Sequence, residues 1–131
     1  IMKMKTEIDF VLNVLPSHTL KHGILLFQDV GVKIPKWNFG ANLRFAFFDT
    51  DSYDERIYAY ENDLLYMFTI NGYYGKGVRF YVMLDYGYSF FDLQLRFSQT
   101  FYDDRNSISS AQELINAKHK SEIRAQVIFH I

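Results

Sequence analysis

Cysteine is absent from this 131-residue chain, and proline occurs only twice. Without cysteine there is no disulfide framework and no zinc site built on thiolates. The absence is compatible with an oxidising compartment. Long apolar runs are missing as well. No stretch approaches the ~18–20 uninterrupted apolar residues that a membrane-spanning helix needs. Neither sign of charge dominates: 14 Lys and Arg face 15 Asp and Glu, for a formal net charge of −1. That balance, with a pI near 6.5, provides no basic stripe and so no electrostatic case for a nucleic-acid face. The start shows no charged region followed by an apolar core and a small-residue cleavage site. The chain opens at Ile1 rather than Met, and its first residues already read as mid-strand, so we expect a piece of a longer protein. What is plentiful is aromatic: 13 Phe, 10 Tyr and 1 Trp, or 18% of the residues. Such a chain is not disordered, because disordered segments lack aromatic and β-branched residues. Yet the mean hydropathy is only −0.12, because polar residues are spread among the apolar ones.

The spread has a period of two. In Phe91–Phe101, Phe91, Leu93, Leu95, Phe97 and Phe101 fall on one face, and Asp92, Gln94, Arg96, Ser98 and Thr100 on the other. This is the pattern of a strand with one apolar and one polar face. The same alternation sets Ile123, Ala125, Val127, Phe129 and Ile131 against Glu122, Arg124, Gln126 and His130. It recurs over Phe39–Phe47, Val78–Tyr86 and Lys3–Val14. Helical spacing fits none of the five. Leu20–Lys33 is extended but less regular, with Gly23 and Gly31 suggesting a bend or bulge. Arg56–Tyr60 and Leu64–Ile70 are shorter strands flanking the polar turn Glu61-Asn62-Asp63. One helix is expected within Ser109–Ala117, where Ala111, Leu114 and Ile115 share a face. The prediction is a single all-β unit over residues 1–131 with about eight antiparallel strands, or seven if Arg56–Tyr60 stays in a loop.

A soluble sandwich or barrel and a transmembrane barrel both alternate, with opposite faces outward. Three features favour the membrane. Several segments run about eleven residues, near the ~9–11 that a tilted strand needs to cross a bilayer. Charged residues sit mid-strand, where inside a barrel they can pair across the lumen. Aromatic residues gather at strand ends (Phe47, Phe48, Tyr73, Tyr74, Tyr86, Tyr88, Phe90, Phe91, Phe101, Tyr102) like interfacial girdles. Connection lengths agree. Turns near Pro35, Asn62 and Gly87-Tyr88-Ser89 are tight and fall on one side. Those near Ser17, Asp51–Asp54, Asn71–Gly77 and Asp103–Lys120 fall on the other and include the two longest, an asymmetry typical of outer-membrane barrels. The expected lumen-lining residues are Arg44, Arg79, Asp85, Asp92, Gln94, Arg96, Arg124 and Gln126, with Glu122 beside them. Those expected to face lipid are Phe39, Leu43, Phe45, Phe80, Val82, Leu84, Leu93, Leu95, Phe97, Val127 and Phe129.

Four stretches carry a resemblance: FDTDSYDERIYAYENDLLY at Phe48–Tyr66, YYGKGVRFYVMLDY at Tyr73–Tyr86, FDLQLRFSQTFYDDR up to Arg105, and KSEIRAQVIFHI at the end. Together they resemble the C-terminal β-barrel region of large outer-membrane proteins of Bacteroidetes that carry helix-hairpin-helix motifs upstream. The resemblance covers nearly all of the chain from about Leu20. One departure is the ending Phe129-His130-Ile131, where such barrels usually end in an aromatic residue. The resemblance implies an outer-membrane location, a transmembrane barrel segment at the end of a larger barrel, and contact with lipid, the barrel-assembly machinery and other envelope proteins. A link to DNA uptake would lie in the upstream parts.

Chemistry is weakly indicated. His18 and His22 have the spacing of a helical metal pair, but Pro16 and the flanking turn argue for loop histidines. Asp49–Glu55 clusters oxygens that could hold Ca²⁺, without an EF-hand pattern, and reads as a solvated turn. Gly72 with Gly75-Lys76-Gly77 lacks P-loop spacing and reads as a hairpin loop. A hydrolase would need a triad such as Ser98, His119 and Asp103, which no spacing singles out. The expectation is a non-enzymatic membrane anchor, pore element or docking subunit without cofactor or metal. The alternatives are a soluble β-barrel binding an apolar ligand and an outer-membrane hydrolase.

Overall fold

The computed structural model describes residues 1–14, 20–103 and 119–131. Eight strands follow in order: β1 (Met2–Val14), β2 (Leu20–Ile34), β3 (Phe39–Thr50), β4 (Ile57–Glu61), β5 (Thr69–Tyr73), β6 (Lys76–Tyr88), β7 (Phe91–Tyr102) and β8 (His119–Phe129). Short 3-10 turns occupy Pro35–Trp37 and Tyr53–Glu55. There is no α-helix among the described residues. The helix expected within Ser109–Ala117, and His18 with the Ser17 turn, lie outside them.

The strands do not form one eight-membered wall. Six make an antiparallel sheet in the order β1-β2-β3-β6-β7-β8, and β4 pairs only with β5 in a separate hairpin. Among the described residues no ladder joins β1 to β8, so the sheet has two open edges. The β1–β2 and β2–β3 ladders run through Gly23 and Gly31 in unbroken register, so the expected bulge is absent. Gly23 is needed for a different reason. A Cβ there would stand 2.6 Å from the Glu55 carbonyl oxygen, so the Tyr53–Glu55 turn approaches the strand as closely as it does only over a glycine. The segment Leu64–Ile70, expected as a strand, is mostly the hairpin's turn; β5 starts only at Thr69, and Tyr66 in the turn has φ 65°.

Residues paired across a ladder share a face, so the registers divide the sheet cleanly. On one face Leu43, Phe45, Leu84, Leu95, Val127 and Phe129 are exposed. On the other Arg44, Arg79, Arg96, Ser98 and Thr100 are buried. The exposed face is thus the apolar one. The hairpin lies on the charged face, where Ile57, Ala59 and Tyr73 pack with Leu25, Phe27, Ala46 and Phe48. Phe48 and Tyr73, expected in an aromatic girdle, are each 1% exposed within this cluster. Their rings meet edge-to-face at 5.5 Å, because the excursion after β3 turns inward rather than staying at the rim.

The β2–β3 and β6–β7 connections, near Pro35 and Ser89, are short turns at one end of the sheet. The excursion between β3 and β6 and the links from β1 to β2 and from β7 to β8 leave from the other end. The Asn62 turn expected beside Pro35 instead belongs to the hairpin tip, which reaches along the covered face until the Leu65 N–H donates to Gln94 Oε1 at 2.7 Å.

Candidate functional site: the charged layer under the hairpin

The covered face carries one arginine on each of four adjacent strands: Arg44 on β3, Arg79 on β6, Arg96 on β7 and Arg124 on β8. Arg96 and Arg124 stand directly opposite one another in the ladder. Like charges in that position repel, and the hairpin brings a carboxylate to each, Glu61 to Arg96 and Asp63 to Arg124. Glu61, at the end of β4, is fully buried. It accepts a bidentate pair from Arg79, Nε to Oε1 at 2.7 Å and Nη2 to Oε2 at 2.8 Å. Arg96 Nη2 donates to Oε2 at 2.5 Å, and the Tyr73 hydroxyl to Oε1 at 2.8 Å. Two residues on, the buried Asp63 carboxylate accepts from Arg124 Nη1, from the Thr69 hydroxyl and from the Leu64 N–H.

Backbone groups of the tip are caught by the same arginines. Arg96 Nε donates to the Asn62 carbonyl at 3.0 Å, and the Asn62 N–H to the Tyr81 hydroxyl at 3.2 Å. Arg44 Nη1 donates to the Tyr60 carbonyl at 2.7 Å while its Nε and Nη2 hold Asp29 of β2. The Arg44 guanidinium lies 3.8 Å from the Phe27 ring centre, and Arg96 4.9 Å from that of Tyr81, a cation–π packing that suits a desolvated arginine. Burial alone would raise the Glu61 carboxyl. The hydrogen bonds and charge of Arg79, with Tyr73 and Arg96 adding, instead hold it below the ordinary glutamate value of 4.5. Asp63 is likewise held below 3.8 against its burial, by Thr69, the Leu64 amide and Arg124. Burial and the Glu61 charge together push the Tyr73 hydroxyl up.

Every expected lumen residue falls on the covered face: Arg44, Arg79, Asp85, Asp92, Gln94, Arg96, Arg124 and Gln126. Glu122 joins them and pairs with Arg124. Asp92 is nearer the rim and meets His130 at 2.8 Å. Every residue expected to face lipid falls on the opposite face. Phe39, Phe80, Val82, Leu93 and Phe97 are only partly exposed there, since ring neighbours such as Phe80 and Phe97 at 5.9 Å cover one another. Glu61, Asp63, Asp29, Tyr73 and Tyr81 were not anticipated. Three arginines with few acidic wall partners at their level, beside an acidic cluster in an over-long connection, were the available signal.

Other constellations do not assemble. Ser98 faces the covered side, whereas His119 pairs in register with Phe101 on the apolar side, so the sheet separates the two triad members. Within Asp49–Glu55, Asp51 accepts from the His22 N–H at 2.7 Å, Asp49 lies 3.8 Å from Lys76, and Ser52 donates to Glu55. Gly75, at φ 80°, forms the β5–β6 turn, where its N–H donates to the Thr50 hydroxyl at 2.6 Å. Two cavities touch the hairpin on the covered face, one along its side and one at its tip beside Leu65. One of about 630 Å³ lies beside Asp29, Lys33, Arg44 and Tyr60, and one of about 600 Å³ beside Asn38, Asp85, Gln94 and His130. No family model matches the chain, and comparison with curated proteins and with solved structures returns no match.

Proposed function

We propose that this chain is a non-enzymatic segment of a transmembrane β-barrel in a bacterial outer membrane, the C-terminal part of a larger barrel. The six-stranded sheet is its wall, and the β4–β5 hairpin is a constriction folded into the lumen. One observation carries this reading: the charged face of the sheet is buried and the apolar face is exposed. In water that arrangement leaves Phe45 and Phe129 more than half exposed. A contiguous apolar surface of that extent is rare on a soluble monomer, whereas lipid-facing strands require it.

Strand length supports the same reading, since β1, β2, β3, β6, β7 and β8 run from 11 to 15 residues. So do the open edges. β1 and β8 run 13 and 11 residues without proline, long edges of the kind that invite pairing, and further strands of a closed barrel would pair with both. The resemblance to the C-terminal barrels of Bacteroidetes outer-membrane proteins points the same way. The roles that follow are anchoring, passage of solute or docking of other envelope proteins, after insertion by the barrel-assembly machinery. A soluble barrel holding an apolar ligand would need the opposite arrangement, with the arginines outside.

The test is folding with and without amphiphile. The chain should float with liposomes and migrate as a compact, heat-modifiable species in detergent. A monomer that stays folded and soluble in plain buffer would sink the proposal.

A further inference from the structure

Resting on the barrel reading, we infer that the β4–β5 hairpin is a displaceable plug whose Glu61 and Asp63 carboxylates stand in for a small anionic solute, so that the path it vacates selects anions.

Attachment of the hairpin is divided. Its strands share no ladder with the wall. The root half is held by apolar packing of Ile57, Ala59 and Tyr73 against β2 and β3. The tip half is held by charge and by a few hydrogen bonds to its backbone. Apolar contacts to a wall have no substitute in water, but a carboxylate–guanidinium contact can be exchanged for any other anion of similar shape.

Among the wall residues whose side chains are described, few carboxylates stand near these arginines. Asp29 is engaged by Arg44, Glu122 by Arg124, and Asp92 by His130. For Arg79 and Arg96, the carboxylates within ion-pair distance among the described residues are Glu61 and Asp63, both on the hairpin. With the tip withdrawn, Arg79, Arg96 and Arg124 would line a water-filled path with cationic side chains on three adjacent strands. Rings of arginine or lysine are how pores select anions and phosphates. Space is already present beside the hairpin, in the cavity of about 630 Å³, and past its tip at Leu65, in the cavity of about 600 Å³.

The experiment is bilayer conductance of the intact polypeptide carrying this segment, with chloride and potassium as the probe ions under a salt gradient. Two variants guard against misfolding: the double substitution Glu61→Gln with Asp63→Asn, and excision of residues 57–73 bridged by a Gly-Ser linker. Insertion of each is read separately by vesicle flotation and heat-modifiable mobility. The expected result is low conductance for the parent and raised conductance in both variants, with the reversal potential displaced toward the chloride equilibrium potential. Adding Arg96→Gln to either variant should bring that potential back toward zero.

Inserted variants that stay closed, or that prefer potassium, would overturn the plug inference and leave the barrel reading standing. Parent polypeptide already conducting as freely as the variants would do the same. Variants that fail to insert while the parent does would make the hairpin a strut, which also overturns it. If the parent itself fails to insert, the barrel reading falls and takes this inference with it.

Discussion

The two faces of the sheet are built from the same strands and differ in what holds them. On the apolar face, Leu43, Phe45, Leu95 and Val127 are exposed and have no protein layer over them. On the charged face, Arg79 and Arg96 are almost wholly buried, and each lies within ion-pair distance of a carboxylate that belongs to the hairpin. Hydrophobicity therefore does not sort these residues by depth, as it would in a water-soluble domain. The difference teaches that nothing within the chain covers the outer face, while the inner face is organised by charge neutralisation around the hairpin.

Removing the neutralising anion should have the largest effect. Replacing Glu61 by Ala strands the desolvated guanidinium of Arg79 and takes from Arg96 the nearer of its two carboxylates, and breaking a buried ion pair from one side costs about 3–5 kcal/mol. The loss falls on docking of the hairpin tip, and limited proteolysis within residues 62–68 should report it. The barrel reading makes the opposite face nearly as sensitive. Leu95→Arg at mid-sheet should cost ~2–4 kcal/mol of membrane stability, measured by denaturant unfolding in vesicles, while Leu95→Phe should be close to neutral. A cost confined to folding in plain buffer would put Leu95 in a water-soluble core instead.

The inner face was legible from the alternation, while its partner was not. A period of two assigns Arg44, Arg96 and Leu95 to faces with no further information, because neighbouring side chains on a strand point opposite ways. It cannot say which face is covered, since both solvents accept the same pattern. Strand count suffered from a related ambiguity. Arg56–Tyr60 alternates just as a wall strand does, yet β4 has only five residues and pairs with β5 alone. Its odd residues Ile57, Ala59 and Glu61 are buried against the wall, and a single alternating stripe does not reveal whether it meets lipid or another sheet. Glu61 and Asp63 read as turn residues because their arginine partners are 18 to 61 positions away in sequence, beyond any local pattern.

Smaller effects sharpen the contrast. Gly23→Ala places a methyl against the Glu55 carbonyl and should cost roughly 1–3 kcal/mol as overpacking, read as a lowered thermal midpoint. Acid should act on the inner face alone. Glu61 and Asp63 titrate below their ordinary values of 4.5 and 3.8. Their contribution is therefore fully present above those values and is lost as the pH falls below them. Carboxyl carbon shifts should show Glu61 still ionised at its ordinary midpoint, and a Glu61 midpoint at or above 4.5 would contradict its pairing with Arg79 and Arg96. Least sensitive should be the rim pair Asp92–His130, whose side chains are 40% and 56% exposed. Asp92→Asn should cost no more than about 1 kcal/mol, by the same unfolding measurement.

The direction of the two faces is tested most directly by cysteine scanning of β7, which is clean because the chain has no native cysteine. Single cysteines at positions 93 to 98, fluorescently labelled in the membrane-inserted protein, would be exposed to lipids carrying a nitroxide quencher. Quenching should be strong at Leu93, Leu95 and Phe97 and weak at Gln94, Arg96 and Ser98. Equal quenching at all six positions, or quenching at the even positions instead, would contradict a sheet that turns its apolar face to lipid.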